Sequence, residues 1–128
     1  MINVIVAGAT GRMGSRLIAL IKDSTALTLA GAIETKGHHA LGEDAGEATG
    51  TGKTGMPVTD DLAALLEKGE VVIDFSVPEA TLSHLRAAVQ HRRAMVIGTT
   101  GFSSDELQEL RSLARQVPCV FSPNMSAG

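Results

Sequence analysis

The chain has no tryptophan, no tyrosine and one cysteine, and each scarcity excludes a class of protein. A single cysteine allows no internal disulfide, so a disulfide scaffold is ruled out and a reducing compartment is expected. Cys119 falls in the apolar run Cys119–Phe121, where a buried, inert thiol is the natural reading. Three phenylalanines are the only aromatics, and 11 basic residues face 14 acidic ones for a formal charge of −3. Stacking platforms and a basic face are both missing, which argues against nucleic acid as a partner. No apolar run approaches membrane length, and the opening Met1-Ile-Asn-Val-Ile-Val6 enters a strand directly. A cytoplasmic protein without a membrane partner is expected. Metal-ligand spacing is absent too. His38 and His39 lie in a polar segment, while His84 and His91 are seven residues apart on one helical stretch; solvated histidines and no metal site follow.

What remains is aliphatic and rich in glycine. The 128 residues suffice for one domain with a real core, and that core must be built from Val, Ile, Leu and Ala. The most informative stretch is Gly8-Ala9-Thr10-Gly11-Arg12-Met13-Gly14. It follows the apolar run Ile2–Ala7 and leads into Ser15–Lys22, where Leu17, Ile18 and Ile21 have helical spacing. A strand, a glycine turn and a helix in that order grip a dinucleotide pyrophosphate on the helix N-terminus. Gly8 permits backbone angles forbidden to other residues, Gly11 permits close approach of an anion, and Gly14 permits the helix to pack on the strand. Arg12 adds a positive charge at the lip. Glu34 closes the next apolar run, Leu27–Ile33, 20 residues beyond Gly14, where such a fold places a carboxylate for the adenine ribose. Lys36 follows closely and suits the extra phosphate of NADP, whereas Glu34 favours NAD, so use of NADH, NADPH or both is open.

Short apolar runs at Leu27–Ile33, Val71–Phe75, Met95–Gly98 and Val117–Phe121 continue the pattern without strict alternation, as befits strands buried on both faces. Between them, helices are predicted over Asp60–Lys68, Pro78–His91 and Ser103–Gln116. Pro78 fits a first helical turn, and Ser103 with Glu106 has the form of a capping box. This alternation predicts an α/β fold with a doubly wound, mainly parallel Rossmann-type sheet. Thr35–Pro57 breaks the rhythm and reads as a long surface loop, suited to folding over a ligand. Its Gly52-Lys53-Thr54-Gly55 is not a nucleoside-triphosphate loop, because Glu47 stands where the leading glycine should be.

Ligands of such sheets bind beyond the carboxyl ends of the strands. Three segments fall there: Asp74-Phe75-Ser76, Gly98-Thr99-Thr100-Gly101, and Ser122-Pro123-Asn124-Met125. Gly98 and Gly101 suit approach to a flat ring, Phe75 can lie against one, and Thr99, Thr100 and Asn124 offer hydrogen bonds.

These motifs in order, together with Asp44-Ala-Gly46, Gly52-Lys-Thr-Gly55, Val96–Phe102 and Asn124-Met-Ser126, resemble the N-terminal half of the dihydrodipicolinate reductases over the whole chain. The resemblance implies a nucleotide-binding domain of an NAD(P)H-dependent enzyme of lysine and diaminopimelate synthesis. It carries cofactor contacts onto Gly8 to Met13, Glu34, Gly98-Thr99-Thr100 and Ser122-Pro123-Asn124-Met125, with Thr100 also touching substrate. Many members place Arg directly after the acid; here Thr35 stands there, and Lys36, the next residue, substitutes for it. The family's paired-histidine and lysine segment and its Ser-Gly-Thr segment do not occur in residues 1–128. The chain is therefore expected to be a cofactor domain that binds nucleotide without catalysis, cut from an intact homotetramer. Two alternatives stand beside this: another small-substrate dehydrogenase such as a semialdehyde dehydrogenase, and a non-catalytic NAD(P)-binding sensor.

Overall fold

The computed structural model describes residues 1–122. Six strands form one sheet: β1 (Ile2–Ala7), β2 (Leu27–Ile33), β3 (Val58–Thr59), β4 (Val71–Asp74), β5 (Ala94–Ile97) and β6 (Cys119–Phe121). All neighbours run parallel, in the order β3-β2-β1-β4-β5-β6. The chain builds outward from β1 in one direction and then, from β4, in the other. That reversal opens a crevice beyond the carboxyl ends of β1 and β4.

Strand β1 shows why the apolar runs do not alternate. Val4 and Val6 pack on one face with Ile18 and Ile21 of helix α1 (Arg12–Asp23). Ile5 and Ala7 face the opposite layer, with Leu82 and Leu85 of α4 (Pro78–His91) and Leu110 of α5 (Ser104–Ala114). Both faces are covered, so every β1 position from Val4 to Ala7 is apolar and buried. The Ser103–Glu106 capping box forms with both reciprocal bonds, and Pro78 opens α4. Among the described residues no helix is long and apolar enough to cross a membrane.

The segment after β2 departs from expectation. Thr35–Pro57 is more than a plain surface loop: it contains the one-turn helix α2 (Ala45–Ala48), and it delivers β3, which pairs with β2 at Ala32 and Ile33. Ala45 is fully buried in the same cluster as Val4, Val6 and Ile18, so α2 covers the sheet beside α1. Asp44 organises the segment through bonds from the N–H groups of Glu47, Thr54 and Gly55. The predicted helix over Asp60–Lys68 is likewise reduced to one turn, α3 (Leu62–Leu65), capped by Asp61. Cys119 is half-buried in edge strand β6, and burial pushes its thiol above the ordinary range.

Candidate functional site

The three glycines of the opening motif have separate tasks. Gly8 has φ of 74°, and a Cβ there would lie 2.5 Å from the Phe75 carbonyl oxygen. A Cβ on Gly14 would collide with the Gly8 carbonyl oxygen, so α1 can start this close to β1 only with glycine at that place. Gly11 differs. Its backbone is extended, and a Cβ would meet nothing nearer than Gly8 O at 3.4 Å. The fold therefore tolerates a side chain at Gly11, whose own surface is exposed.

Ala9 N–H is bonded to Ile33 O, Thr10 N–H to Glu34 Oε2 and Gly11 N–H to Gly8 O. The N–H groups of Arg12, Met13 and Gly14, the first turn of α1, have no acceptor among the described residues, and no side chain caps that turn. Three aligned donors with the helix dipole behind them make the anion-seeking end of the site. The side chain of Ala9 is buried in the core, so this residue shapes the turn, while Arg12 is exposed at its lip and Met13 is half-buried.

Glu34 stands at the end of β2 and reaches back to the glycine turn. Its Oε2 accepts from Thr10 N–H at 2.9 Å and from the Thr10 hydroxyl at 2.6 Å. Oε1 accepts no hydrogen bond among the described residues, and His38 Nε2 lies 3.9 Å from it. Lys36 is exposed two residues on, and His38, expected as a solvated side chain, instead packs with Nε2 3.3 Å from Thr10 Oγ1.

Beyond β4 and β5 the structure contains a polar network that sequence reasoning missed. Asp74 is completely buried and accepts from Ser76 N–H, the Ser76 hydroxyl and His84 Nδ1–H, the last at 2.7 Å. His84 is thus no solvated histidine; it ties α4 to the end of β4. Thr99 is also buried, its hydroxyl 2.7 Å from Thr81 Oγ1 and accepting from Ser76 N–H. The Thr99 side chain holds the loops together rather than offering a free hydrogen bond. Gly98 is explained by Phe75: a Cβ there would run into the Phe75 ring, so the flat ring that Gly98 meets is the protein's own. Thr100 is exposed at the same rim. Ser122 follows β6 and donates its N–H to Ile97 O. Pro123, Asn124 and Met125 lie outside the described residues.

Three hollows adjoin along the carboxyl edge of the sheet. The first, of about 580 Å³, has Glu34, Thr35, Lys36, Val77 and His84 in its wall. It shares Glu34, Thr35 and Val77 with a second of about 320 Å³ over Gly8, Thr10 and Gly11. The second shares Phe75 and Ser76 with a third of about 170 Å³, bordered by Met13, Gly98, Thr99 and Thr100. An elongated groove results, with the open N-terminus of α1 at its middle.

Strand order, glycine turn and groove define a Rossmann-type α/β domain. The family model described as "Dihydrodipicolinate reductase, N-terminus" matches residues 2–125, and the chain belongs to that family. It is 44% identical over its full length to the 4-hydroxy-tetrahydrodipicolinate reductase of Syntrophus aciditrophicus and 46% identical to that of Syntrophobacter fumaroxidans. It spans about half the length of these curated relatives, 48% in both cases. Among solved structures, the dipicolinate-bound dihydrodipicolinate reductase from Paenisporosarcina sp. TG-14 superposes with a TM-score of 0.73 at 25% identity, covering 99% of this chain and 49% of that one. An aspartate semialdehyde dehydrogenase with NADP from Candida albicans shares the fold at a TM-score of 0.65 and 16% identity, covering 78% of this chain and 30% of that one.

Proposed function

We propose that residues 1–128 form the dinucleotide-binding domain of an NAD(P)H-dependent 4-hydroxy-tetrahydrodipicolinate reductase, a cytoplasmic enzyme of lysine and diaminopimelate synthesis. The observation that carries the proposal is the groove centred on Gly11, where the fold does not require glycine yet three backbone donors stand unpaired beside it. The residues fit the group. Arg12, Met13 and Gly14 N–H would receive the pyrophosphate, and Glu34 Oε1 would accept from the adenine ribose hydroxyls. Lys36, on the wall of the largest hollow, would meet the 2′-phosphate of NADPH. Phe75, Gly98, Thr99 and Thr100, with Ser122, Pro123, Asn124 and Met125, would border the nicotinamide end, and Thr100 would also meet substrate.

When bound, the reduced nicotinamide supplies a hydride. The chain's own residues grip and orient: the Thr10 clamp holds Glu34, and the Asp74 network fixes the loops after β4 and β5. Proton donation and the substrate contacts other than Thr100 belong to a further domain of the intact homotetramer, so residues 1–128 alone bind nucleotide without turning over. The reductase reading is favoured over a semialdehyde dehydrogenase by sequence, since the chain is 44% identical over its full length to a reductase and 16% identical to the semialdehyde dehydrogenase.

The test is calorimetric titration of the chain with NADH. Gly11→Val, which puts methyl groups where the phosphates would lie, should weaken affinity more than tenfold while circular dichroism stays unchanged. Equal affinity of variant and wild type would refute the pyrophosphate assignment.

A further inference from the structure

Thr35, Lys36, Gly37 and His38 form a turn closed by His38 N–H on Thr35 O at 3.1 Å, with Gly37 supplying a φ of 78°. The turn folds the chain back across the end of β2, so the His38 ring arrives beside Glu34. Ala40 N–H donates to Nδ1 at 3.0 Å, which puts the proton of the neutral ring on Nε2. That Nε2–H points at Thr10 Oγ1, and Nε2 is 3.9 Å from Glu34 Oε1. The ring of His39 stacks on it with centroids 4.4 Å apart. The glycine turn and the segment after β4 face this hollow with Gly8, Thr10, Gly11, Phe75, Ser76 and Val77, none of which titrates. Among the described residues, the charged or titratable groups that these contacts set beside His38 are Glu34, His39 and, on the same turn, Lys36.

We propose that His38 sets which dinucleotide the chain takes: its neutral ring leaves Glu34 to select NADH, and its protonated ring offsets Glu34 and admits the 2′-phosphate of NADPH. This rests on the dinucleotide reading above. A bare carboxylate at Oε1 accepts ribose hydroxyls and repels a phosphate at the same place. A positive imidazolium within 4 Å of that oxygen cancels much of the repulsion. Protonation at Nδ1 also sets two donors against each other, so the ring must release Ala40 N–H and becomes free to turn toward the phosphate. On this reading His38 makes the preference depend on pH.

Histidine changes charge between about pH 5 and 8, and the 2′-phosphate itself loses its second proton near pH 6. A variant separates the two titrations, because only the first belongs to the protein. The full chain, its His38→Gln variant and its His38→Arg variant are titrated with NADH and with NADPH by calorimetry between about pH 5.5 and 8.5. The quantity followed is the ratio of the NADH to the NADPH dissociation constant. On acidification the wild-type ratio should rise about fivefold beyond the His38→Gln curve, the size of a surface charge interaction over a few ångströms. His38→Arg should hold a high ratio across the whole range. If both nucleotides bind and the wild-type and His38→Gln curves coincide, the role of His38 is overturned while the dinucleotide reading stands. If wild type binds neither nucleotide, that reading falls and the proposal falls with it.

Discussion

Asp44 accepts hydrogen bonds from three backbone N–H groups, and these hold its carboxyl well below the usual range. The Thr54 N–H contributes most; Glu47 and Gly55 add to it, against a burial effect of opposite sign, and the pKa falls from 3.8 to about 2. A depressed folded-state pKa stabilises the fold above the unfolded value, and the contribution disappears as pH falls through the folded one. Asp44→Asn should therefore be less stable than wild type at pH 7, with the gap closing as pH drops from about 4 to about 2. Urea midpoints measured across that range decide it; a gap independent of pH would show the carboxylate charge to be irrelevant. The role of Asp44 is not legible in its sequence context, because its partners Thr54 and Gly55 lie 10 and 11 residues away in a segment without periodicity. Gly8, Gly11 and Gly14 are legible, since steric demands on glycine act over a few residues.

Between elements, the pair of buried Asp74 and part-buried His84 connects the last residue of β4 to the second turn of α4. A buried carboxylate deprived of a partner is expensive, since nothing replaces the lost interaction with water. His84→Ala should lower unfolding free energy by about 1–3 kcal/mol in urea titration, the cost of leaving a buried acceptor unsatisfied. A loss below about 0.5 kcal/mol, the usual range for surface substitutions, would return His84 to the solvent. Helix α4 is legible to the residue as Pro78–His91, because a proline at its start and periodic apolar positions are local signals. Helix α2 and strand β3 escape sequence reasoning for the converse reason. One turn of helix and two residues of strand carry no periodicity, and both exist because neighbours on the sheet cover them.

For the whole molecule, a ligand lying along the groove would touch residues carried by β1, β2, β4 and β5 and by the loops that follow them. Binding to the folded state alone raises stability by mass action, by about 2.7 kcal/mol at a hundredfold excess over the dissociation constant. NADH should therefore raise the melting temperature by about 5 °C or more in a thermal scan, and a nucleotide that binds by calorimetry without moving the melt would contact a locally unfolded form. The alternation of apolar runs with helical stretches determined the α/β class, and the glycine turn with Glu34 marked the proposed cofactor end, because periodicity, capping and chain-turning chemistry act between near neighbours. Tertiary structure alone decided that Gly98 makes room for Phe75, that the Thr99 hydroxyl is spent inside the fold, and that His38 meets Thr10 and His84 meets Asp74. Those roles depend on which strand ends the order β3-β2-β1-β4-β5-β6 brings side by side, and strand order is set by packing across the sheet.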